Sequence, residues 1–199
     1  MKKRFLVAAM IAAATLIPAT VQAEPGFFGQ LGQMSAGADL GAVFYSGAAG
    51  FSIDLRLDAD IGRSVGMFSP YVGARLLYGF TSGSAHSESD VYASARGGLR
   101  LVPSSLPVFS SAPAFLKPLI LGAGLDLGLG ATLDKNSAIG STKGVAGFLF
   151  EPALTIEYPL GPVLVSFTPS YRALLSSATI KSTLNLSLGA SYLLKEVAK

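Results

Sequence analysis

The sequence has no cysteine, no tryptophan and one histidine, and Asp, Glu, Lys and Arg make up only 14% of its 199 residues. Without cysteine there is no disulfide framework, no cysteine-bound zinc and no thiol nucleophile. With His86 as the only imidazole, Ser–His chemistry is confined to that residue's own neighbours. Beyond residue 23 no run of 18 or more apolar residues occurs, so nothing there reads as a membrane helix. No phosphate loop or dinucleotide fingerprint is present; the glycines of 120–131 alternate with leucine, as in a strand. Basic charge is scarce too. The formal net charge is +3, and Lys2, Lys3 and Arg4 account for all of it, which leaves no basic surface for nucleic acid.

What is present is apolar: half of the residues are hydrophobic and mean hydropathy is +0.51, too high for a disordered chain and unusual for a soluble enzyme. The first 23 residues have the three parts of a secretory signal. Lys2–Arg4 is a charged start, Phe5–Ile17 an apolar stretch broken by Pro18, and Val21-Gln22-Ala23 a small-residue cleavage site. We expect a signal peptide over 1–23 and a single domain over 24–199.

Period-two alternation recurs through that domain, predicting strands near 34–45, 50–62, 68–80, 91–102, 119–133, 146–158, 163–175 and 183–194. The second segment is the clearest. Phe51, Ile53, Leu55, Leu57, Ala59 and Ile61 oppose Ser52, Asp54, Arg56, Asp58, Asp60 and Gly62, a division no helix stripe produces. The segments are longer than the roughly 5–6 residues of an average soluble strand and match what a tilted strand needs to cross a bilayer. Eight is an even count and the smallest that closed bacterial barrels use. The expected fold is all-β, an eight-stranded antiparallel up-and-down transmembrane barrel. A soluble β-barrel is the alternative, and it would turn the apolar face inward.

The uncharged apolar face should meet lipid and the polar face should line the lumen. Aromatic residues on the apolar face fall into two bands: Phe68, Tyr158 and Tyr192 towards one set of strand ends, and Phe44, Phe51, Tyr78, Phe80, Phe148 and Tyr171 towards the other. Two such girdles are the expected interfacial anchors. On this pattern, from Met34 to Leu194, the chain resembles the small eight-stranded outer-membrane proteins, the group of OmpX, OmpW and the OmpA membrane domain. Ser187, Gly189 and Tyr192 fall in register with that group's C-terminal assembly signal, and Leu194 stands where the final aromatic is usual. The resemblance implies an outer-membrane location, lipids and the barrel-assembly machinery as partners, and both termini in the periplasm. Residues 46–49, 81–90, 134–145 and 176–182 would then be outer connections, and 63–67, 103–118 and 159–162 periplasmic ones. The longest, 103–118, carries four prolines with Leu106, Val108, Phe109, Phe115 and Leu116. It would fold on the barrel mouth, touch the inner leaflet or dock a periplasmic partner. Pro152 and Pro169 fall inside adjacent strands of a sheet without edges, which predicts bulges.

The candidate site is the lumen. Asp39, Asp54, Asp58, Asp60, Asp126, Glu151 and Glu157 share it with Arg56, Arg75, Arg96, Arg100 and Arg172. Charges in a narrow dry interior must be paired. The expected role is therefore structural, or that of a narrow pore lined by a charge network, without cofactor or metal. Passage of small polar or hydrophobic molecules is the alternative. Asp54, Asp58 and Asp60 suit a hard cation by type, but Arg56 sits among them. His86, within Ser84-Ala85-His86-Ser87-Glu88, is the one place for a lipid-modifying active site, on an expected outer loop that lacks a rigidly held base.

Overall fold

The computed structural model describes residues 31–45, 48–61, 68–83, 86–101, 103, 106, 109, 111–136, 140–177 and 179–194; the expected signal segment, the chain end after Leu194 and Val108 lie outside them. Eight strands follow one another: β1 (Leu31–Tyr45), β2 (Ala48–Ile61), β3 (Phe68–Ser82), β4 (His86–Leu101), β5 (Ile120–Asn136), β6 (Ser141–Leu160), β7 (Val163–Leu175) and β8 (Ile180–Leu194). Each pairs antiparallel with its sequence neighbour, and β1 closes on β8 from Met34↔Leu194 to Phe44↔Leu184. This is the eight-stranded up-and-down barrel that the alternation predicts.

The inner and outer faces also divide as the alternation does. Leu40, Leu129 and Leu188 on the outside are 66, 70 and 64% exposed, while Asp39, Arg75, Asp126 and Glu151 on the inside are buried. A sheet closed on itself, apolar outside and charged inside, is stable in hydrocarbon and not in water. The barrel therefore spans a membrane.

Three expectations are corrected. First, 81–90 and 134–145 are mostly strand rather than outer connections, because β3 runs to Ser82, β4 starts at His86, β5 reaches Asn136 and β6 starts at Ser141. His86 pairs with Asn136 instead of lying in a loop. At these ends both faces are polar, so alternation vanishes. Second, Pro152 and Pro169 make no bulge. The β6–β7 register is the same at Phe148↔Leu175, Ala153↔Ser170 and Leu160↔Val163. Pairing instead lapses opposite both prolines, while Pro152 stays paired with Leu125 on β5 and Pro169 with Leu186 on β8. Both missing N–H groups thus face the one shared seam. Third, the interior is not uniformly polar. Leu77, Tyr92, Leu149 and Leu174 form a buried apolar cluster inside the barrel, with Val145 packed against it.

Candidate functional site

Successive inward positions build the lumen in layers. Near the ends of β2, β4 and β6, Arg100 binds Asp60 at 2.8 Å and Glu157 at 3.0 Å, with Asp58 at 3.5 Å. Its guanidinium lies 4.5 Å from the ring centroid of Tyr71, and that of Arg96 lies 5.6 Å from the same ring. The ring fits because Gly98 and Gly124 face it; a Cβ at either would collide with Tyr71.

At mid-height Arg75 of β3 binds three carboxylates from three other strands: Asp54 of β2 at 2.8 Å, Asp126 of β5 at 2.7 Å and Glu151 of β6 at 2.8 Å. Asp126 also faces Arg96 at 3.3 Å, and Asp58 faces Arg96 at 3.6 Å. Glu151 accepts further hydrogen bonds from Arg172 Nε at 2.8 Å and the Ser170 hydroxyl at 2.6 Å. On the far wall Arg56 donates to Ser166 at 2.8 Å and pairs with Asp39 at 3.4 Å, and Ser166 donates to Asp39 at 3.2 Å. Every acid and arginine named from the sequence thus points inward and meets a partner. Buried charges persist only when paired and hydrogen-bonded in this way.

The apolar cluster is the next layer outward. Leu77 and Tyr92 face each other across the β3–β4 seam, and Leu149 and Leu174 across β6–β7. Arg172, 4.9 Å from the Tyr92 ring centroid, joins the ionic layer to it. The mouth beyond is bridged by an ion pair between Lys181 of β8 and Glu88 of β4, with the Lys181 ammonium 4.8 Å from the Tyr45 ring centroid. The sequence reading missed Tyr71, Tyr92, Glu88, Lys181 and this apolar layer. Its trace was present as breaks in alternation: Leu76-Leu77, Phe148-Leu149-Phe150 and Leu174-Leu175.

The remaining predicted residues are placed as follows. Asp54 turns to Arg75, while Asp58 lies between Arg96 and Arg100 and Asp60 binds Arg100; among the described residues no group of three potential ligands is arranged to hold a metal. His86 is exposed at the start of β4, its Nδ1 3.4 Å from Asp134. Phe44, Phe51, Phe148 and Tyr171 are exposed on the outer wall towards the mouth, with Tyr78 and Phe80 half-buried beside them; the Phe51 and Phe80 centroids are 5.9 Å apart. Phe68 and Tyr192 are exposed at the opposite end, where Tyr158 is half-buried. Ser187 is buried in the lumen and Gly189 packs against Asp39, while Tyr192 and Leu194 face outward.

No protein-family model matches the chain, and no curated protein does. Solved structures are similar to it at low identity. Ail, the attachment invasion locus protein of Yersinia pestis, shares 13% identity over 81% of this chain and 97% of its own, with a TM-score of 0.49. Neisserial surface protein A shares 16% over 81% and 96%, with a TM-score of 0.46. The outer membrane enzyme PagL shares 12% over 80% and 99%, with a TM-score of 0.44.

Proposed function

We propose that this protein is an integral outer-membrane barrel with a structural, non-enzymatic role and a lumen closed to solutes. One observation carries the reading: Arg75 ties four strands together at mid-height through Asp54, Asp126 and Glu151, and the Leu77–Tyr92–Leu149–Leu174 layer lies directly above it. An ion crossing such an interior would have to part buried ion pairs and then desolvate against leucine. Passage of small polar or hydrophobic molecules has no comparable support. The His86 reading has little more: the imidazole is largely exposed beside Asp134, and Glu88 is engaged by Lys181.

The test is single-channel recording on protein purified from the outer membrane and placed in a planar bilayer, after a heat-dependent gel shift has confirmed the barrel. Silent bilayers for the wild type, with conductance appearing only in a double variant such as Arg75→Ala with Leu149→Ala, support the closed lumen. Steady wild-type conductance overturns it in favour of a narrow pore. An unchanged lipid profile in cells carrying His86→Ala is expected; a lost lipid modification overturns the non-enzymatic reading.

A further inference from the structure

The connection between β4 and β5 is built unlike the other described connections. Within it the N–H groups of Leu106, Phe109 and Ala112 donate to the carbonyls of Pro103, Leu106 and Phe109, and those of Leu116, Lys117 and Leu119 to Pro113, Ala114 and Leu116. Each of these bonds closes a tight turn, and Ala114–Leu116 is a 3-10 turn. Four prolines, Pro103, Pro107, Pro113 and Pro118, contribute no N–H at all. Within 103–118 the N–H groups of Leu106, Phe109, Ala112, Leu116 and Lys117 are thus bonded inside the segment itself. Residues 102–119 contain no acidic residue and a single basic one, Lys117. Yet Phe115 is 64% exposed, Phe109 41% and Leu116 39%. A loop bathed in water gains nothing from three exposed large apolar side chains.

Its position supplies the occupant. The segment leaves β4 after Leu101 and joins β5 at Ile120, and Leu101 pairs with Leu121 on the outer face, beside the exposed Leu99. Its apolar side chains thus continue the apolar wall at the end of the barrel where β1 begins and β8 ends. We infer that residues 103–118 are an interfacial anchor that lays Phe109, Phe115 and Leu116 into the headgroup–acyl boundary of the bilayer leaflet at that end. This deepens the membrane-barrel reading and rests on it. Segments that lie in this zone combine apolar and aromatic side chains with basic residues, as Phe109, Phe115 and Leu116 stand with Lys117 here.

The absence of tryptophan makes the test clean, because a single Trp substitution is then the sole indole. Phe115→Trp and Phe109→Trp, with Leu129→Trp as an outer-wall control, are reconstituted as full-length mature protein in phosphatidylcholine vesicles. The vesicles carry bromines either high or low on the acyl chain, and each variant is checked by the heat-dependent gel shift. The anchor predicts blue-shifted emission from both loop variants, most of it lost to the shallow bromines, little to the deep ones and little to acrylamide. Leu129→Trp should be quenched by bromine at greater depth. Loop emission quenched by acrylamide and not by bromine would mean a segment left in water, as a surface for a periplasmic protein would be. Emission insensitive to both would mean shelter against the barrel mouth. Either result overturns the anchor. If Leu129→Trp also escapes bromine quenching, the lipid-facing wall itself has failed, and the fault lies in the barrel reading rather than in the loop.

Discussion

Two seams of this barrel solve the same problem by opposite means. Between β4 and β5 the backbone ladder is unbroken from His86↔Asn136 to Leu101↔Leu121. Between β6 and β7 it lapses around Pro152 and Pro169. Where the backbone is whole, the inward side chains are often absent: Gly98 and Gly124 make room for the Tyr71 ring, and Gly130 does so for Tyr92. Where the backbone is interrupted, inward polar groups cross instead. Ser170 and Arg172 of β7 both donate to Glu151 of β6, and the Thr168 hydroxyl donates to Thr155 at 3.4 Å. Backbone bonding leaves the lumen side of a seam free to hold space. Without it, the lumen side has to hold the strands together.

The largest effect expected from this contrast is at Glu151. Glu151→Gln leaves Arg172 buried without the carboxylate its Nε binds, whereas Arg75 keeps Asp54 and Asp126. An unpaired buried charge costs about 3–5 kcal/mol. Asp126→Asn on the intact side is the comparison. There Arg75 keeps Asp54 and Glu151, and Arg96 keeps Asp58, so a loss of about 1–2 kcal/mol is expected. Urea unfolding in lipid vesicles measures both. Equal losses would mean that the β6–β7 seam leans on its side chains no more than its counterpart does.

Next in size is the space on the intact side. Gly124→Ala puts a methyl group where the Tyr71 hydroxyl lies, and overpacking of this kind costs about 1–3 kcal/mol. Adding Tyr71→Phe should recover a large part of that loss. A Gly124→Ala variant as stable as the parent would show that the ring has other room and that glycine is not there to seat it.

The contrast between the seams also marks what could be read in advance. Strand identity was legible wherever one face meets lipid, as at Phe51–Ile61, and β7 has its expected limits of 163 and 175. The strand ends at the mouth were not, because His86–Asp90 and Asp134–Asn136 carry polar residues at every position. Inward charges were legible as a set, since each falls on the polar parity of its strand. Their partners were not. That Arg75 takes Asp126 and Glu151 depends on how tilted strands stack across the lumen, and no single strand encodes it. The apolar layer was hidden for a related reason: Leu77 and Leu149 occupy the parity of polar residues, and one leucine there reads as a lapse in pattern.

Ser170 tests a single stitch. Its hydroxyl donates to Glu151 at 2.6 Å, and Ser170→Ala removes one buried hydrogen bond to a charged acceptor, worth about 1.5–3 kcal/mol at most and less where Arg75 and Arg172 still hold the carboxylate. An expected loss of about 1 kcal/mol follows.

The smallest effect is the most pointed. Pro169→Ala restores an N–H opposite Leu154, in a seam where the ladder is otherwise in register on both sides. A new backbone hydrogen bond contributes about 0.5–1.5 kcal/mol, and the loosened unfolded chain subtracts about 0.4–1 kcal/mol. Net stability should therefore hardly move. What should move is the cost of losing the stitch. In a Pro169→Ala background the seam no longer depends on side chains to the same degree, so Ser170→Ala should cost less than it does in the parent, with a coupling of about 0.5 kcal/mol or more. Strictly additive losses would mean that the Ser170–Glu151 bond serves the ionic layer alone, and that its place beside the prolines has no part in holding β6 to β7.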